Sequence, residues 1–539
     1  MMKNCKKSIG IITLFSILTT VSCGNAFMEN ELYNLPGIFL DNASMPLDIN
    51  TSFSLSGALK WLKENSVDNT TYRIQIAENA SIDPQYMSEF KGKNINIILS
   101  ASDKINPVIR LATNASKALF HVDCSTLTLD GAIILQGANG PNQESLIEVY
   151  NTGILRMKAK AKIQDSITGA VHVTQGGVFE LIGGSIENCS SVNGGAVSVS
   201  DSGKFSMQGG IIQHNTAMAR YVTTQSDLNY GINGEEGALP DCFGGGGVFI
   251  GKGGIMEMSG GEISQNVASP NGGGVLLVGL EGGEAPVFLM TGGIITKNTV
   301  QRLGTGDTSG GGVALGINSV FTMQGGTISF NNGADYGGGL AVHNGSFIFE
   351  AGSINNNISH KYGGGVYITQ GASNNNTGSA SFLMSGGDIS ENKSTNGGGF
   401  YIGGEGDEIV DTVSIQNVSI TNNIASAGGG AYFLIPDSAL APQYDLSGIS
   451  IDHNIATSGG GIQAEFQGST ASLSLKLENT KITANLASQS GGGIYSTKYQ
   501  YLLYDEAKIN CASGIDDIIL NNLCTANSAK ANFGEDNDV

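Results

Sequence analysis

The chain has 539 residues with 79 glycines, 10 prolines and one tryptophan, and a formal charge of −20 on 14% charged residues. Glycine at about twice its usual ~7% share without a G-X-Y period excludes collagen, and 40% hydrophobic residues exclude disorder and permit a continuous core. The acidic balance excludes nucleic acid and anionic membrane surfaces as natural partners.

In chain order, Lys3, Lys6 and Lys7 precede the apolar run Ile9 to Leu18 and the small residues Thr19 to Ser22, so residues 1–22 read as an export signal peptide. The apolar run is about half of the ~20 residues a spanning helix needs, and no later segment approaches that length. Cys23, followed by Gly24 and Asn25, stands where a bacterial lipoprotein carries its acylated cysteine. Thr20-Val21-Ser22-Cys23 resembles a lipobox with Thr20 in place of leucine, as in the relaxed lipoboxes of spirochaetes. Cleavage nearby by an ordinary signal peptidase is the alternative. The remaining cysteines Cys124, Cys189, Cys242, Cys511 and Cys524 are scattered and give no disulfide framework, which leaves a Cys511–Cys524 bridge open.

Residues 23–100 form an N-terminal cap. A short amphipathic helix over 53–66, with Leu55, Leu59 and Leu62 on one face, plugs the end of the following strands. Residues 101–505 carry repeats. They are degraded to about residue 200, where Leu127, Leu129, Ile133 and Leu135 still alternate and Ser166 stands where asparagine is expected. The unit is clearest at Phe321 to Leu340, F-T-M-Q-G-G-T-I-S-F-N-N-G-A-D-Y-G-G-G-L. Its glycine runs begin at Gly272, Gly310, Gly337, Gly363, Gly397, Gly428, Gly459 and Gly491, so about 26 residues is the bare unit and the rest inserted loop. Residues 506–539 make a thin cap or a tail.

Within a unit the apolar residues alternate, Val313 and Leu315, Phe321 and Met323, then Ile328, as in short strands with one buried face. Three such strands separated by tight turns wind once around an axis and pair in parallel with the next turn. The expected fold is all-β, a right-handed parallel β-helix of about twelve coils, ~60 Å long at ~4.8 Å per coil. An asparagine recurs three positions after the isoleucine: Asn215, Asn266, Asn298, Asn331, Asn357, Asn392, Asn423, Asn454 and Asn485. Its amide both donates and accepts, so stacked copies bond coil to coil, a structural ladder. Cys189 occupies the same slot in an early coil and reads as a buried thiol.

Gly194-Gly195-Ala196-Val197 and Gly363-Gly364-Gly365-Val366, alternating with Ile389 to Asn392, resemble the chlamydial polymorphic outer-membrane protein repeat, G-G-A-I with F-x-x-N, with isoleucine replacing phenylalanine. The longer form at Phe382 to Phe400 is similar to Gly-rich repeat lipoproteins of treponeme-type spirochaetes. The resemblance covers roughly residues 150–500, and Leu59 to Asn65 with Tyr72 to Ile76 is similar to that family's N-terminal cap. Chlamydial members imply a C-terminal autotransporter barrel. Residues 505–539 depart from that pattern, ending in Glu535-Asp536-Asn537-Asp538-Val539 without a terminal aromatic, so surface display is expected to rest on Cys23.

Catalytic signatures are missing: there is no G-x-S-x-G, G-x-x-x-x-G-K-[ST] or H-E-x-x-H. Asp388 with Glu391 is one carboxylate pair, and the six histidines His121, His172, His214, His343, His360 and His453 are dispersed. No catalytic residue, metal or cofactor is assigned. Binding is assigned to two features. Insertions in successive coils bring Glu405, Asp407, Glu408, Asp411 and Asp437 to one edge, with hydrophilic spacing as the alternative role. Tyr367, Tyr401, Tyr432 and Tyr495 each stand mid-strand after the glycines, pointing outward as faces for a sugar or protein or as mutual packing. The expected role is an exported, lipid-anchored adhesin or binding scaffold of the outer membrane or cell surface, with a host protein or glycan as partner. The competing roles are a polysaccharide lyase or glycosidase and a structural or antigenic coat protein.

Overall fold

The structure is a computed structural model. It describes residues 36–496 except 42, 44, 48–52, 102–103, 113–116, 138–143, 219–242, 303–305, 371–380, 405–409, 411, 438–441 and 468–473, together with the strands at 508–511, 518–520 and 523–524. The signal segment and Cys23 lie outside the described residues.

The chain is a parallel β-helix. Among the described residues, three long sheets of 16, 15 and 14 strands run its length, here sheets I, II and III. One coil shows how the repeat builds them. Val320–Met323 lies in sheet I, Thr327–Ser329 in sheet II, Ala334–Tyr336 on a short corner strand and Leu340–His343 in sheet III. The next pass, Ser346–Phe349, then stacks in register on the first, Phe321 on Phe347 and Met323 on Phe349. Alternation sends Phe321, Met323, Ile328, Leu340 and Val342 inward, and all five are fully buried.

Sheet II carries one inward column of great uniformity. Leu135, Ile163, Ile186, Ile212, Ile263, Ile295, Ile328, Ile354, Ile389, Ile420, Ile451 and Ile482 follow one another in register. Each buried branched side chain contributes roughly 1.5–3 kcal/mol.

The coils outnumber the twelve expected because strands before residue 190 join the same sheets without the glycine or asparagine signature. Thr71–Ile76, Asn96–Ala101 and Thr126–Gly131 already pair in parallel register. Before them, Gly37–Leu40 pairs antiparallel with Thr71–Ile76, the single antiparallel pairing among the described strands. The helix Leu55–Asn65 closes the end, capped by Ser54, whose hydroxyl accepts the Gly57 N–H at 3.1 Å. Leu55, Ala58, Leu59 and Leu62 are buried against the first coils.

Candidate functional site: the outer face of sheet III

The asparagine ladder lies inside the rod. Asn331 donates its backbone N–H and its Nδ2 to Asn357 Oδ1, both at 3.0 Å, and its Nδ2 also donates to Ile295 O at 3.0 Å. Asn357 repeats this toward Asn392 and Ile328 O. The same step links Asn215, Asn266 and Asn298, and Asn392, Asn423, Asn454 and Asn485. All nine are at most 1% exposed, which leaves them no ligand-binding role. The residue before each, from His214 through Gln265, Lys297, Phe330, Asn356, Glu391, Asn422 and His453 to Ala484, has φ between 53° and 58°. A left-handed conformation costs a non-glycine residue ~1–2 kcal/mol, and the pinned amide that follows holds it in place. Cys189, in the equivalent slot, is fully buried, donates its N–H to Asn215 Oδ1, and has its thiol pushed up to about 12 by burial.

On sheet III the middle residue of each strand faces away from the core. Its column reads Tyr86, His121, Glu148, His172, Ser198, Phe249, Leu276, Ala314, Ala341, Tyr367, Tyr401, Tyr432, Gln463 and Tyr495. The tyrosines point outward as their position requires, but they are not an open surface. Tyr367 and Tyr401 are 4% exposed and Tyr432 is 2% exposed, which corrects the expectation of free aromatic faces. The cause is a second pair of rings. Tyr336 and Tyr362, half-buried on the corner strand, lie parallel at 5.6 Å. Tyr336 stacks on Tyr367 at 4.9 Å and Tyr362 on Tyr401 at 4.7 Å. Within the column, Tyr367 stacks on Tyr401 and Tyr401 on Tyr432, each at 5.2 Å. Gln463 separates the half-buried Tyr495 from this ribbon.

Polar groups edge the ribbon. Tyr336 donates to Asp307 Oδ2 at 2.5 Å, Lys361 pairs with Asp307 at 2.6 Å and lies 5.3 Å above the Tyr336 ring, and Arg302 pairs with Asp335 at 2.5 Å. Burial first, then neighbouring negative charge, raises the hydroxyls of Tyr336 and Tyr432, the latter bonded to Glu465. His343, at hydrogen-bond distance from Ser309 Oγ, is pushed down to about 4 by burial. Tyr336 and Tyr362 each stand immediately before a glycine run, a signal in the sequence that the mid-strand tyrosines obscured.

The first coils of the same column are ionisable. His121 stacks on Tyr86 at 4.0 Å, with its Nε2 3.3 Å from Glu144 Oε2, and burial lowers its pKa. Lys117 pairs with Glu144 at 2.5 Å. Tyr150, edge-on to His121, is pushed up to about 12 by burial and the charge of Asp123.

Of the acidic edge, Glu405, Asp407, Glu408 and Asp411 lie outside the described residues, and Asp437 is exposed at a bend. Among the described residues no three His, Cys, Asp or Glu side chains come together as a metal ion would need, and no helix is long and apolar enough to cross a membrane. Cys511 and Cys524 lie on strands of different sheets. No protein-family model, curated protein or solved structure matches the chain.

Proposed function

We propose that this protein is an exported binding scaffold, anchored through an acylated Cys23 and displayed on the cell surface as an adhesin for a host glycan or protein. The observation that carries this reading is the contrast between the two sides of sheet III. Inward, Val171, Val197, Val248, Val275, Val313 and Leu340 vary only in size. Outward, the same strands carry His172, Ser198, Phe249, Leu276, Ala314 and Ala341, so polar, aromatic and aliphatic side chains share one column. Packing fixes the inner columns, so diversity outside it is where recognition can be written without disturbing the coil. The half-buried edges of Tyr336 and Tyr362, with Lys361 and Asp307 beside them, offer the amphipathic contacts that sugars and protein side chains both use.

Protease treatment of intact cells tests display, and fractionation of Cys23→Ala tests anchorage. Binding to a glycan and matrix-protein array should fall at least ~10-fold in the double variant Tyr336→Ala, Tyr362→Ala. Protection from protease on intact cells, or array binding unaltered by the double variant, would sink the reading.

A further inference from the structure

Three consecutive rungs of the outward column bring Glu148, His172 and Ser198 into register. Neighbouring strands lie ~4.8 Å apart, so these side chains leave the sheet side by side along the rod axis. His172 Nδ1 is 2.8 Å from Glu148 Oε2, and Glu148 Oε1 accepts the Ser145 N–H at 3.1 Å. A carboxylate at Nδ1 keeps the ring proton there and leaves the Nε2 lone pair free. Nε2 has no hydrogen-bond partner among the described residues, and Ser198 stands on the adjacent rung. Ser198 is half-buried, and its hydroxyl has no hydrogen-bond partner among the described residues. Beyond it Phe249, 1% exposed, closes the row with an apolar side chain. Burial opposes the charged form of His172, but Glu148, with a further contribution from Asp201, outweighs it and raises the imidazole pKa.

We propose that Ser198 as nucleophile, His172 as base and Glu148 as positioning residue cleave small carboxylic esters, an activity beyond the binding role above. Ser198 Oγ attacks the ester carbonyl carbon as its proton passes to His172 Nε2. The carbon–oxygen bond to the alcohol then breaks, and the departing oxygen takes the proton from His172. Water, deprotonated by the same imidazole, attacks the acyl-serine carbon, releasing the carboxylic acid and restoring Ser198. Glu148 holds the ring orientation and stabilises the imidazolium. No hydrogen bond joins Oγ to Nε2 in the unliganded site, where such contacts are commonly long and tighten on substrate. The adjoining backbone N–H groups are taken up by strand pairing, so the expected enhancement is that of a base-activated serine, ~10²–10⁴-fold.

The test is fluorophosphonate labelling of the exported protein, with the adduct mapped by mass spectrometry and p-nitrophenyl acetate hydrolysis followed in parallel. The adduct is expected on Ser198. Ser198→Ala should abolish it, and His172→Ala should slow labelling and hydrolysis at least ~100-fold. Labelling should rise with pH as His172 loses its proton, and Glu148→Gln should move that inflection to lower pH. Because the adduct is mapped on the unsubstituted chain, the proposal does not depend on any variant folding. Absence of an adduct at Ser198, or a labelling rate indifferent to His172→Ala, would overturn it.

Discussion

The coils before residue 200 and those after residue 205 use the same three sheets in the same register, yet they fill one corner of the coil differently. In the later coils an asparagine follows the left-handed residue, and the position before the sheet III strand is glycine. A Cβ on Gly339 would meet Gly365 O at 2.7 Å and Asn357 Nδ2 at 2.9 Å, so that position must be bare for coils to approach. In the earlier coils the slot holds Ser166 or Cys189, after Asp165 and Asn188 in the same left-handed conformation, and the glycine position holds Leu146, Ala170 or Ala196. The fillings differ while the backbone path persists. The coil is therefore specified by its apolar columns, and the glycine–asparagine pair is one of several fillings for a turn those columns already require.

Three substitutions and one titration would break or sharpen this comparison. The largest effect is expected for Asn357→Ala. It leaves the Asn331 N–H without a partner inside the rod, at about 1–3 kcal/mol, and also removes the side-chain bonds to the Ile328 carbonyl, the Asn331 amide and the Asn392 amide oxygen. Chemical denaturation should register about 3–5 kcal/mol for it. Ser166→Ala removes one bond to the Gly169 carbonyl and should cost about 1 kcal/mol. Equal losses would show that the ladder adds nothing over a single hydroxyl. Next, Gly339→Ala should destabilise by about 2–3 kcal/mol through overpacking, whereas the early-coil pockets already accept a methyl at this position. A neutral outcome would mean that the corner can relax.

A change of pH is expected to act with opposite signs in two coils. His172 has a raised pKa, so its contribution is present below the ordinary value and is lost as pH rises through the folded one. His343 is depressed to about 4, so its coil loses stability as pH falls from ~6.5 toward that value, by roughly 1–2 kcal/mol after solvent screening. His121, lowered by burial, shares the sign of His343. Amide exchange at pH 5 and pH 7.5 should show stronger protection around His172 in acid and weaker protection around His343. Parallel changes in the two coils would contradict these assignments.

Much of this architecture was legible in the chain. Alternating Phe, Met, Ile and Val with a fixed asparagine offset named the strands, their inward faces and the coil-over-coil contact, because period-two alternation and stacking of like residues are local consequences of sequence. The short helix was legible for the same reason: Leu55, Leu59 and Leu62 share one face. The number of early coils was not, since Leu127 and Leu129 alternate without punctuation to count. Accessibility was not legible either. Tyr367 and Tyr401 face outward by strand parity, but only the fold reveals that Tyr336 and Tyr362 return from another corner to cover them.

Sequence alone therefore determined the period, the buried columns and the amide ladder, because each depends on spacing within one coil and its repetition in the next. Tertiary structure decided which outward residues meet. Glu148, His172 and Ser198 lie in three separate coils and become neighbours only because the intervening chain completes one turn each time. Strand register sets that meeting, and it holds across coils of very different length.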